Sequence, residues 1–163
     1  MSGSLVPIAR AIHFVGFALA LGSSMAAWFA HRKAMSETSH EKSGLEVAAA
    51  SAITMLELPG LFLAMFAGMV LVMAMPTVLS PSQSGAGPWL HIKLTLVLGL
   101  LVASHLRMFR SRRLTRERKS GASEADCEAL ASKARALGLV DVMLHVVIVA
   151  IASLRFVLFG GSA

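Results

Sequence analysis

The sequence predicts an all-α fold, an integral membrane four-helix bundle, and three observations carry that reading. Hydrophobic residues make up 56% of the 163 positions and charged residues 15%, against about 25% charge in a soluble domain. Mean hydropathy is +0.71. The apolar residues also gather into four runs, each long enough to cross a bilayer, which takes about 20 residues. These spans cover roughly residues 5–30, 47–75, 89–109 and 139–159 of a single transmembrane domain, residues 1–163. A backbone in hydrocarbon must pair its own polar groups, so each span is expected to be helical.

The first span carries one early basic residue, Arg10, and its apolar run exceeds a signal-peptide core, so it reads as a retained helix. The second holds Pro59 just before Gly60 and is expected to kink there. The "PTVLSPSQSGAGP" stretch, residues 76–88, reads as a loop from its Pro, Gly and Ser content. The third span starts at Trp89. A basic connection, residues 110–138, then leads to the fourth. Within that connection Ser123 and Asp126 form a capping signal, which predicts a helical extension ahead of span four. Small residues four apart, Ala18, Gly22 and Ala26 on span one and Gly99 and Ala103 on span three, are candidates for close helix contacts.

Of the fifteen Lys and Arg residues, twelve fall in the first and third connections or, as Arg107 does, at the edge of the third, and none in the second. The positive-inside rule then places both basic connections in the cytoplasm and both termini outside, in the inner membrane of a bacterium. A net charge of +6 and a pI near 10.5 fit anionic lipid headgroups as partners better than nucleic acid. The single cysteine, Cys127, excludes an intramolecular disulfide or a CxxC redox pair.

Six histidines remain to be explained. His40 lies in a polar stretch, and His31 beside Arg32 and Lys33 reads as interfacial. His13, His91, His105 and His145 fall within or at the edge of spans, where an ionisable group calls for a partner. His91 and His105 are fourteen residues apart. On a helix that puts them on nearly one face, about 21 Å apart along the axis. Matching depth pairs His13 with His91 and His105 with His145, as axial ligands of one or two haems b. The alternative for each is a helix-to-helix hydrogen bond.

Glu57 and Asp141 are the only carboxylates within spans. Asp141 lies four residues before His145, on the same helix face, and could orient that imidazole, relay protons or join two helices. Glu57 suits proton exchange if buried, or pairs with a basic residue such as Arg107. Lys93 and Arg155, near outer ends of spans, could snorkel to water or grip a haem propionate or an anionic substrate. Met65, Met69 and Met73 repeat every four residues, a spacing that could pass Cu(I) along a path or simply fill gaps between helices.

"WLHIKL", Trp89 to Leu94, with "SHL" at 104–106, resembles the third-helix signature of HemJ-type protoporphyrinogen oxidases, which are related to CopD-like membrane proteins. "AIHFVG", with His13 and Gly16, is similar to that family's first-helix His-x-x-Gly. The resemblance covers the third helix well and the four-helix plan loosely. It implies a haem b in the bundle, with His13 and His91 as the matching histidines, Trp89 against the cofactor and Lys93 as a further functional position. It also implies oxidation of protoporphyrinogen IX, with electrons passed to a membrane acceptor. A homo-oligomer or a larger redox complex is a further expected partnership. The chain departs from the family at "AAWFAHRKAM", where a Pro-Arg-Leu-Phe run is expected, and at the start of span four, which lacks Asn-Glu-x-Pro. The CopD-like relationship makes copper handling the alternative.

Overall fold

A computed structural model describes residues 5–74 and 87–158, with backbone alone at 39, 87–89 and 155–158. The expected loop therefore lies outside the described residues, apart from its last two positions. Helix α1 spans Leu5–Lys33 and ends in a 3-10 turn, Ala34–Ser36. Helix α2, Ser39–Ala52, runs through a π-helical turn, Ile53–Glu57, into α3, Leu58–Ala74. Helices α4, Gly87–Lys119, and α5, Glu124–Leu158, complete the described residues. Counting α2 with α3, four helical rods are long and apolar enough to cross a membrane. The all-α four-helix membrane architecture stands as expected.

α4 and α5 run well past the expected spans, so the 29-residue basic connection collapses to a turn over residues 120–123. The turn closes as a Schellman motif. The Ala122 N–H donates to Glu117 O (3.0 Å) and the Gly121 N–H to Arg118 O (3.2 Å), with Gly121 at φ 77° in the left-handed region that favours glycine. Ser123 then caps α5, its Oγ accepting the Asp126 N–H at 3.2 Å, as the capping signal predicted.

The irregularity expected at Pro59 takes the form of the π turn. Proline lacks an N–H and its ring crowds the carbonyl four residues back. The wider turn absorbs that mismatch, with the Leu58 N–H bonding Ile53 O five residues back. Its last residue is Glu57, which the turn directs into the bundle, where it is fully buried.

Around the bundle, α1 packs on α3 at one side and on α5 at the other. α5 packs on α4, and α2 with the π turn closes the ring onto α4. α1 and α4 are thus diagonal partners. The α1–α3 seam is made by glycine and alanine, because in lipid it is close packing, not escape from water, that joins helices. A Cβ at Gly16 would stand 2.6 Å from Ala64 N and 2.7 Å from Gly60 O, and one at Gly60 2.7 Å from Gly16 O. This corrects the small-residue stripe expected on span one. Ala18, Gly22 and Ala26 face outward, and the seam uses Gly16, Ala20 and Ala27 instead. On α4 the expectation splits, with Ala103 buried and Gly99 facing open space.

Candidate functional site

Inside this ring the side chains fall into layers. Ala20, Leu61, Leu100 and Ile148 form an apolar plug across all four rods. One turn toward the basic end lies a charged layer: Ser24 from α1, Glu57 from the π turn, Ser104 and Arg107 from α4, and Asp141 and His145 from α5. All six are fully buried.

Arg107 organises this layer. Its Nη1 donates to Ser24 Oγ (2.9 Å), Asp141 Oδ2 (3.2 Å) and Glu57 Oε2 (3.3 Å), and its Nη2 donates to the Ser24 carbonyl (3.1 Å). The guanidinium fits against α5 because Gly138 has no side chain there, and a Cβ would stand 3.2 Å from its Cζ, Nε and Nη2. Asp141 also accepts from Ser104 Oγ (2.6 Å) and from Ser24 Oγ. Among the described residues, three buried polar atoms have no hydrogen-bond partner: Glu57 Oε1, Arg107 Nε and His145 Nε2. Buried charges are tolerated in an apolar medium only when paired, and here two carboxylates converge on one guanidinium.

The candidate ligands are distributed as follows. The His13 Nδ1 donates to Ala64 O at 2.6 Å, since a carbonyl can only accept, and the ring fills a notch over Gly68. A Cβ at Gly68 would meet the ring at 3.2 Å. That tautomer presents a lone pair at Nε2. Lys93 lies within electrostatic reach of His13. His91 is exposed on the first turns of α4, on the rod diagonal to α1. The His105 Nδ1 donates to Leu101 O (2.8 Å) and its ring stands edge-on to Phe62 of α3, 6.3 Å away. The His145 Nδ1 donates to Asp141 O (3.0 Å) and its ring packs on Phe17 of α1 at 5.3 Å. His105 and His145 therefore lean on different helices. The side chains of Trp89 and Arg155 lie outside the described residues.

Glu57 and Asp141, both sequence candidates, are brought together by Arg107, the partner suggested for Glu57. Asp141 meets His145 mainly through its backbone carbonyl, its carboxylate being taken up by Arg107 and the two serines. Sequence reasoning missed Ser24 and Ser104, which look like ordinary small residues of a membrane helix. His31 was read as interfacial and is instead buried, its Nε2 3.2 Å from buried Ser111 Oγ. Met65, Met69 and Met73 line the outward face of α3.

Among the described residues no three of His, Cys, Asp and Glu gather into a metal-ion cage, an arrangement that axial histidines on a haem do not require. The fold and its buried layer define a multi-pass helical membrane bundle with an ionic interior. Compared with known protein families, curated proteins and solved structures, the chain finds no match.

Proposed function

We propose that this chain is a haem b-binding redox protein of the bacterial inner membrane, of the HemJ-like kind, with its basic end in the cytoplasm. The observation that supports it best is His13. Its Nδ1 proton is fixed on a backbone carbonyl and its ring is seated in a glycine notch, which is how a ligating imidazole is oriented by its surroundings. On this reading His13 holds the iron, and His91 of the diagonal rod supplies the second imidazole. Lys93 sets positive charge beside the site, where it can hold a propionate or an anionic substrate. A bound haem b would supply one-electron chemistry between a reduced donor, protoporphyrinogen IX in the family, and a membrane acceptor. His105 and His145 are left to the helix contacts that they make. Copper handling is the weaker reading, because Met65, Met69 and Met73 face outward from the bundle.

The test is the absorption spectrum of protein purified in detergent, with haem quantified per chain. A Soret band and a reducible b-type α band are expected. His13→Ala and His91→Ala should each lose most of the haem, while His40→Ala, at the exposed start of α2, should keep it. Full haem in both of the former variants would refute the ligand assignment, and a protein that stays colourless on haemin titration would refute the function.

A further inference from the structure

The charged layer has a stoichiometry that pairing alone does not satisfy. Fully ionised, Glu57 and Asp141 carry two negative charges against one positive charge on Arg107, in a place with no exposed surface. His145 does not close the gap, since its Nδ1 donates to a carbonyl and its Nε2 is unpartnered. The remaining negative charge would be stranded in hydrocarbon, and burial removes such a charge by protonation. The hydrogen bonds indicate which carboxyl takes the proton. Both Asp141 oxygens accept hydrogen bonds, from Ser104, Ser24 and Arg107, which favour a carboxylate. Glu57 has one long contact to Arg107, and its Oε1 has no partner.

Among the described residues, a polar route reaches this layer from the basic end. Toward His13 the apolar plug intervenes. Toward the basic end, Ser111 lies one turn beyond Arg107 on the same helix and bonds His31, and both side chains are buried. Arg107 and Arg135 lie within electrostatic reach of His31. Beyond it, buried Glu46 pairs with Arg118 at the basic mouth.

We propose that the Glu57–Arg107–Asp141 cluster is a proton-binding site, with the proton on Glu57, loaded from the basic end through His31 and Ser111. Loading converts the Glu57 carboxylate to the acid and takes the cluster from one net negative charge to neutral. The groups that face the site are Ser24 and His31 from α1, Ser104 and Arg107 from α4, and Asp141, His145 and, at the edge, Arg135 from α5. This inference is independent of the haem assignment, since none of these residues is a proposed iron ligand.

Infrared spectroscopy of the full chain in liposomes tests it. At neutral pH, where an ordinary carboxyl is ionised, the wild type should show a protonated-carboxyl C=O band that shifts in D2O. Glu57→Gln should abolish it, and so should Asp141→Asn, which leaves an ionised Glu57 as the single charge partner of Arg107. Absence of the band in the wild type at neutral pH overturns the site, a result that needs no variant to fold. A band that survives Glu57→Gln overturns the placement on Glu57. His31→Phe and Ser111→Ala should each slow the D2O shift several-fold, and unchanged rates in both overturn the route.

Discussion

Arg107→Met tests whether the charged layer holds the bundle together. The substitution keeps an unbranched side chain of comparable length but removes four donated hydrogen bonds: to Ser24 Oγ, the Ser24 carbonyl, Glu57 and Asp141. Asp141 then keeps its two serine hydroxyls and loses its only cation, at a fully buried position. Breaking a buried ion pair by removing one partner costs about 3–5 kcal/mol, because it leaves an uncompensated charge. For a chain of this size each kcal/mol moves the melting temperature by about 2–4 °C, so thermal unfolding in detergent should fall by about 6–20 °C. The double variant Arg107→Met with Asp141→Asn removes the stranded charge and should recover most of that loss. A single variant that melts with the wild type would refute the reasoning. So would a double variant as unstable as the single, since the deficit would then come from packing and not from charge.

Two further outcomes follow from the packing. Gly16→Ala drives a Cβ into the backbone of α3 and should cost about 1–3 kcal/mol, as overpacking does, whereas Gly22→Ala, with nothing within 4 Å, should be neutral or mildly stabilising. Equal melts for the two would refute the α1–α3 seam. At the basic end, Glu46→Ala removes two hydrogen bonds from Arg118, the Nη2 contact being 3.0 Å. Hydrogen exchange in the turn over residues 120–123 should rise, whereas Arg113→Ala, which removes an exposed 3.4 Å pair with Glu117, should leave it within experimental error.

The four rods were legible because hydrophobic run length is a direct physical requirement of a bilayer. Which face of each rod turns inward was less so. In a soluble helix polar residues mark the outside, but in α1 nearly every residue is apolar or small, and Ala18–Gly22–Ala26 looks as suitable a seam as Gly16–Ala20. Only the positions of Gly60 and Ala64 on α3 decide between them. The ends of α4 and α5 were underestimated for the opposite reason. Their last and first turns are highly charged, which reads as a loop, yet the charges are matched across helices, with Arg118 on Glu46 and Glu124, and Lys42 on Glu124 and Glu128. Helix propensity and inter-helix ion pairs extend the rods past the apolar spans. Glu57, Asp141 and the histidines stood out because ionisable groups are rare in such segments. Ser24, Ser104 and Ser111–His31 did not, since their role exists only through partners on other helices, 37 or more positions away.

The arrangement of layers bears on how the two proposed activities relate. The His13 notch and the charged layer lie on opposite sides of the plug of Ala20, Leu61, Leu100 and Ile148, with Phe17, Leu96 and Leu144 packed around it. Closely packed aliphatic side chains exclude the water that a proton chain needs, whereas electron transfer does not depend on a file of hydrogen bonds. Phe17 touches both regions: it packs against the plug and, with its ring tilted, against His145 of the charged layer. An electrostatic influence of the proton on the haem site would therefore act through a low-dielectric barrier, where screening is weak, without direct proton exchange between the two. On this geometry a Glu57→Gln variant should retain the proposed haem and match the wild-type potential where Glu57 is protonated, and it should lose the pH dependence that the wild type shows over the range in which Glu57 titrates. A potential that depends on pH identically in Glu57→Gln and in the wild type would separate the two sites and remove any reason to treat the charged layer as part of the redox function.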